Sequence, residues 1–225
     1  RCSIVGTVVS GDLYGRFGLR CSYTSSNFFY PTANDAIGKN AYFYGFQAEQ
    51  GSYATSYIKT IGTTQTRVAD TASGSGNSTV INSTEGVLYF ECSALANDVG
   101  STRVLSISDG TGSNTLYSGY NAASNIIQAQ IVVGGVAQTS MLHTVTDRTD
   151  FIKVAILYQN NNHKMFVNGV EVFTDILGSV PSANTFNTLN FNLGQGSFAF
   201  YGKTKSVQVY TTALTDAELT TLTTI

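Results

Sequence analysis

His143 and His163 are the only imidazoles the sequence offers as bases, and neither stands near a Gly-x-Ser-x-Gly turn that would expose a serine nucleophile. His163 closes the run Asn160-Asn161-Asn162-His163 and is expected in a hairpin loop; His143, just before Thr144, is expected to be exposed or at a strand end. The nearest acidic pair is Glu85 and Glu91. On an extended strand their spacing puts them about 20 Å apart. A retaining glycosidase needs its two carboxyls about 5 Å apart, so this pair does not fit that chemistry. Cys2, Cys21 and Cys92 are odd in number and lack metal-site spacing. They read as small apolar side chains within sheets. A cross-strand Cys2–Cys21 disulfide is the lesser reading, allowed because a turn at Gly11-Asp12 would set the two opposite each other.

Binding chemistry is better represented than reaction chemistry. Flat aromatic rings cover the apolar faces of sugars, and amides pair with their hydroxyls. Tyr117, Tyr120, Asn121 and Asn125 fall within one short stretch, and Asn160 and Asn161 add amides in a second. These are the candidate glycan contacts, set against the ordinary alternative that strand aromatics belong to a core. Asp109-Gly110-Thr111-Gly112-Ser113-Asn114 gathers hard oxygen ligands in a Gly-rich turn. The same string also describes a turn in which the aspartate caps its own backbone. Asp98 and Asp147 are further carboxylates of the same kind.

The composition that surrounds these residues is neutral and polar. Charged residues are 12% of the chain, against roughly 25% in ordinary soluble domains. Net charge is −2, with no Lys/Arg cluster to neutralise phosphates, which argues against nucleic acid as a partner. The longest apolar runs, such as Phe151–Tyr158, are too short and too broken by charge to span a bilayer. Thirteen Tyr and thirteen Phe against two Pro suit pleated strands.

Strands are expected wherever alternating segments are bounded by Gly, Asn, Asp or Ser. The chain gives Arg1–Ser10, Phe17–Thr24, Ala41–Gln50 and a short extended piece at Tyr53–Ile58. After the linker-like Asp70–Ser78 come Gly86–Ala94, Arg103–Ser108, Thr115–Tyr120, Ile126–Val133 and Val136–Met141. Phe151–Tyr158 is nearly continuous in apolar residues, as a central strand with both faces covered would be. Lys164–Val167 and Val170–Phe173 flank Asn168-Gly169, a strong hairpin signal. Leu189–Leu193, Phe198–Tyr201 and Lys205–Tyr210 complete the strands. Thr215-Asp216-Ala217-Glu218 is a capping box that opens a short closing helix with Leu214, Leu219 and Leu222 as its apolar stripe. The expected class is all-β: an antiparallel sandwich with a short C-terminal helix over residues 66–225, preceded by a partial β segment over residues 1–65.

Two stretches resemble known families. Lys164-Met165-Phe166-Val167-Asn168-Gly169-Val170-Glu171-Val172 resembles the hairpin of concanavalin A-like (laminin G-like) sandwiches. Asn192-Leu193-Gly194, the strand at Phe198–Gly202, Lys205–Tyr210 and Ala213–Glu218 resemble the closing strand and helix of that superfamily. The resemblance implies a jelly-roll sandwich, and often one calcium at its rim, for which Asp109 is the candidate ligand here. Its glucanase branch carries a Glu-x-Asp-x-Glu strand that this sequence lacks. Tyr44–Gly51 with Ala54–Ile58, followed by Thr66-Arg67-Val68-Ala69-Asp70, is similar to the last strand and exit of carbohydrate-binding-like jelly rolls in bacteriophage tail- and head-fibre proteins. Lys59 stands where that pattern has Pro. Arg1-Cys2-Ser3 reads as mid-strand, and the first segment as the C-terminal half of a jelly roll whose other strands precede Arg1 or come from another chain. The resemblance implies a non-catalytic module of a virion fibre, extracellular and trimeric, docking on a host cell-surface glycan beside other virion proteins. The alternatives are a structural virion module without a ligand and, behind it, a polysaccharide depolymerase.

Overall fold

The computed structural model describes residues 56–59, 61–66, 74–97, 99–123 and 125–225. The chain divides into two compact units, Arg1–Val68 and Ala69–Ile225. The Cys2–Cys21 pairing, the strands expected before Ser56 and Asp98 lie outside the described residues. Residues 56–59 and 61–66 form neither strand nor helix.

The second unit carries ten strands and one helix among its described residues. They are β1 (Glu85–Ser93), β2 (Arg103–Ser108), β3 (Thr115–Tyr120), β4 (Ile126–Val133), β5 (Val136–Thr144), β6 (Ile152–Gln159), β7 (Asn162–Val167), β8 (Val170–Asp175), β9 (Thr188–Asn190), β10 (Lys203–Tyr210) and α1 (Asp216–Thr223). Two five-stranded antiparallel sheets result, in the orders β10-β1-β6-β7-β8 and β5-β4-β3-β2-β9. The fold is the antiparallel sandwich expected from the alternation.

Period-two alternation decides what each face does. Leu88, Phe90 and Cys92 of β1, with Val154, Ile156 and Tyr158 of β6, meet Leu105, Ile107, Leu116, Tyr120, Ile127, Ala129 and Ile131 of the other sheet in one buried core. The opposite face of the first sheet is apolar too. Val87, Tyr89, Ala155, Leu157 and Phe166 form a second cluster closed by Leu219 of α1. This explains why β6 reads as an unbroken apolar run: it is the middle strand of its sheet and both its faces are covered. The helix begins with its capping box, Thr215 Oγ1 accepting from the Glu218 amide. The Asn168-Gly169 turn has both residues in the left-handed region, at φ 50° and 85°, as a type I′ hairpin requires.

Three expectations, two strands and one loop residue, are corrected here. Phe198–Tyr201 is not a strand; a single parallel bridge joins Ala199 to Val104. Gly194, Gly196 and Phe198 all take positive φ, and that breaks the extended chain. The strand expected over Leu189–Leu193 shrinks to Thr188–Asn190, the three residues that pair with β2. Ser75, within the linker-like stretch, exchanges backbone hydrogen bonds with Leu189 on the edge of the sandwich. His163 is not a loop residue. It is the second residue of β7, points into the sandwich beside Met165 and is fully buried.

Candidate functional site

The second sheet, unlike the first, keeps its outer face polar. Register places Asn190, Ser106, Tyr117, Gln130 and Ser140 in one row across β9, β2, β3, β4 and β5. Paired residues of neighbouring strands project to the same side, so the row lies opposite the core residues Leu116, Ala129 and Met141. Within the row the Tyr117 hydroxyl donates to Gln130 Oε1 at 3.0 Å, and Gln130 Nε2 donates to Ser140 Oγ at 2.6 Å. One step along the strands Asn121 Nδ2 donates to Gln128 Oε1. The Asn121 side-chain oxygen accepts from the Ala123 amide, which fixes the turn after β3.

At the β2–β9 end the row is roofed. Ser106 Oγ donates to the Asn192 carbonyl at 2.6 Å, and Asn190 Oδ1 accepts from the Gly74 amide at 2.8 Å. The loop 192–196 packs onto Ser108 so closely that a Cβ on Gly194 would lie 2.5 Å from Ser108 Oγ. Toward β5 the row opens: Tyr117, Gln128 and Gln130 are half-buried and Ser140 is exposed. The result is a face of hydroxyl, phenol and amide groups with a wall along one side. Partial burial pushes the Tyr117 phenol up, so it stays a neutral donor and acceptor.

The structure separates the sequence candidates. Tyr117 and Asn121 come together on this face through Gln128 and Gln130, two residues that the sequence reading missed. Their signal is the alternation Ile127-Gln128-Ala129-Gln130-Ile131, in which amides replace the usual mixed polar residues on one side of a strand. Tyr120 is a correction. It is fully buried in the core, stacks on Phe200 at 6.3 Å between centroids, and cannot contact a ligand. Its register predicts this, because it sits three positions from Tyr117 and so projects to the other face. Asn160 and Asn161 are exposed in the β6–β7 turn, on the opposite sheet, and are not part of the face.

Asp109 is committed to its own turn. Oδ1 accepts from the Thr111 amide at 2.8 Å and hydroxyl at 2.6 Å, and Oδ2 accepts from Asn114 Nδ2 at 2.8 Å. Partial burial alone would push its carboxyl up, but the Thr111 and Asn114 hydrogen bonds outweigh it and hold the group low. Three of the carboxylate's four lone-pair positions are thereby taken up within the turn. Among the described residues no three His, Cys, Asp or Glu side chains gather as a metal site would require. Asp147 likewise accepts from the Thr149 amide and hydroxyl, both at 2.7 Å. It borders a concavity of about 360 Å³ with His143 and Asp150, floored by Val145, Ile152 and Val167. His143 is half-buried at the end of β5, and burial lowers its pKa. Glu85 and Glu91 stand apart on β1; the first accepts from Gln159 Nε2 at 3.0 Å and the second pairs with Lys205 at 2.8 Å.

The model of a known family, the concanavalin A-like lectin/glucanases superfamily, matches residues 93–220. No curated protein matches the chain in sequence. Among solved structures, the CBM40 of a Ruminococcus gnavus IT-sialidase bound to α2,3 sialyllactose aligns with a TM-score of 0.54 at 20% identity, over 68% of this chain and 94% of that one. The same module bound to α2,6 sialyllactose gives 0.51 at 20% identity, over 68% and 94%. A heptameric SAP-like pentraxin from Limulus polyphemus gives 0.50 at 10% identity, over 66% and 73%. At these identities the likeness is one of fold.

Proposed function

The chain belongs to the concanavalin A-like lectin/glucanase superfamily, and from that premise we propose that its sandwich is a non-catalytic glycan-binding module. The observation that carries the reading is the row Tyr117–Gln130–Ser140, a ring and two hydrogen-bonding groups held rigid across three strands and left open to solvent. Because strands are about 4.8 Å apart, the row spans about 10 Å, room for a disaccharide laid across the strands. Its side chains are already hydrogen bonded to one another, so little ordering entropy is lost when a sugar docks. The Ruminococcus gnavus module, solved with sialyllactose, supports carbohydrate as the ligand class for this architecture.

The setting we propose is a bacteriophage virion fibre, with the sandwich outside the particle, three copies side by side and beside other virion proteins, docking on a host cell-surface glycan. Support for this comes from the fibre-like string Tyr44–Ile58 and Thr66–Asp70. Trimer avidity would raise a weak single-site affinity without any new contact.

The experiment is a glycan array read with the full chain, followed by titration of the strongest glycan against Tyr117→Ala and Asn160→Ala. Tyr117→Ala is expected to weaken binding at least about tenfold, which is about 1.4 kcal/mol, and Asn160→Ala to leave it unchanged. Equal affinity for the parent and Tyr117→Ala would move the site off this face. An array without any signal at concentrations suited to weak sites would favour a purely structural module.

A further inference from the structure

We infer that the ligand of this face is a neutral glycan, one without sialic or uronic acid groups. The inference rests on the glycan-binding reading above and narrows it to a ligand class.

The charge map of the unit Ala69–Ile225 carries the argument. It holds six cationic residues: Arg103, Arg148, Lys153, Lys164, Lys203 and Lys205. All four lysines belong to strands of the other sheet, β6, β7 and β10. Three of them are engaged there: Lys153 Nζ donates to the Thr224 carbonyl at 2.7 Å, Lys164 pairs with Glu171 and Asp216, and Lys205 pairs with Glu91. The two arginines are fully buried. The Arg103 guanidinium lies 4.1 Å from the Tyr201 ring centroid, and Arg148 donates to the Ala123 carbonyl.

Strands β2, β3, β4, β5 and β9 contain only Arg103 and His143 as cationic or potentially cationic residues. Register turns both away from the face, since Arg103 pairs with the core residue Tyr120 and His143 with the core residue Ile127. The face is therefore built from Tyr117, Asn121, Gln128, Gln130 and Ser140, and no charged side chain of its strands projects to that side. A sugar carboxylate set on it would give up water and meet only neutral dipoles, whereas carboxylate recognition ordinarily relies on a guanidinium or ammonium partner. Neutral sugar hydroxyls, both donors and acceptors, match groups that are themselves both.

The test titrates the full chain with matched pairs that differ only in the acidic sugar. Lactose and α2,3 sialyllactose form one pair, and an array of neutral oligosaccharides with their sialylated and uronic-acid counterparts widens the search. The expected result is that the neutral member of each bound pair is held at least about tenfold more tightly. Gln130→Lys, which places an ammonium in the row, is expected to narrow or reverse that preference. Tighter binding of the acidic member by the parent chain would overturn the neutral-ligand inference and leave the glycan reading standing. Failure of both members of every pair to bind would overturn the glycan reading itself, and this inference with it.

Discussion

The two sheets share a core and differ in what they turn outward. The sheet β10-β1-β6-β7-β8 puts a second apolar layer on its outer face and covers it with α1. The sheet β5-β4-β3-β2-β9 puts serine, tyrosine and amide side chains there and leaves the β3–β5 part uncovered. One outer face therefore contributes to stability by burial, while the other contributes a preformed set of hydrogen-bonding groups at little cost to the fold. Within an antiparallel sandwich only an outer face can be spared in this way, because the inner faces must fill the space between the sheets.

The largest expected effect breaks the covered face. Leu219 is fully buried between α1 and the first sheet. Leu219→Ala removes that burial and leaves a cavity, and is expected to cost about 3 kcal/mol in urea unfolding. If the helix were an ornament and not part of the core, the loss would stay under about 1 kcal/mol.

A second effect lies on the inner side, at His163. The ring is fully buried, and neither nitrogen has a hydrogen-bond partner. Gly178 closes over it, since a Cβ there would sit 2.4 Å from the ring. Tyr158 faces it from β6 and Asp175 from β8, and on the β5 side the uncharged Gln138 carbonyl packs against the same Gly178. Burial lowers the imidazole pKa, and the nearby Asp175 carboxylate offsets this only in part. A histidine whose folded pKa lies below its unfolded value of about 6.5 binds its proton more readily when unfolded. Stability is then fully present above about pH 6.5 and falls as the pH drops below it, by at most about 1.4 kcal/mol per pH unit. His143 shifts in the same direction. Urea unfolding between pH 7.5 and pH 5 is expected to show this slope, and His163→Leu to reduce it. An unchanged slope in the variant would assign the acid sensitivity to His143 or to the carboxylates.

Most of the sandwich was legible in the sequence because alternation and turn chemistry are local. The bounds of β2, β3 and β4 follow directly from the pattern, and Asn168-Gly169 and Thr215–Glu218 name their own turn and cap. What escaped was decided by non-local contacts. Leu189–Leu193 and Phe198–Tyr201 read as strands by their apolar residues, but the chain from Asn192 onward serves as a wall over Ser106 and Ser108 with Phe200 turned into the core. His163 looked like part of a polar loop because three asparagines precede it; the turn needs only Asn160 and Asn161, and pairing resumes at Asn162. The site was half legible. Tyr117 and Asn121 stand out by type, whereas Gln128 and Gln130 acquire meaning only when register sets them beside those two.

The smallest expected effect sharpens the contrast between the faces. Tyr117→Phe keeps the ring and removes the hydroxyl that donates to Gln130 Oε1. The tyrosine is half-buried, and the Gln130 oxygen that it leaves behind can turn to water, so the net loss in stability is expected near 0.5 kcal/mol, the low end for a single hydrogen bond. In binding, the same change removes one member of the row and leaves the ring as a platform, so affinity for the array-selected glycan is expected to fall by only about threefold, less than for Tyr117→Ala. Measured together by urea unfolding and by titration, the pair of numbers separates a face kept for ligand contact from one kept for packing. If Tyr117→Phe lowered stability by as much as Leu219→Ala while leaving glycan affinity untouched, the open sheet would be doing the same work as the covered one, and the division of labour between the two faces would fail.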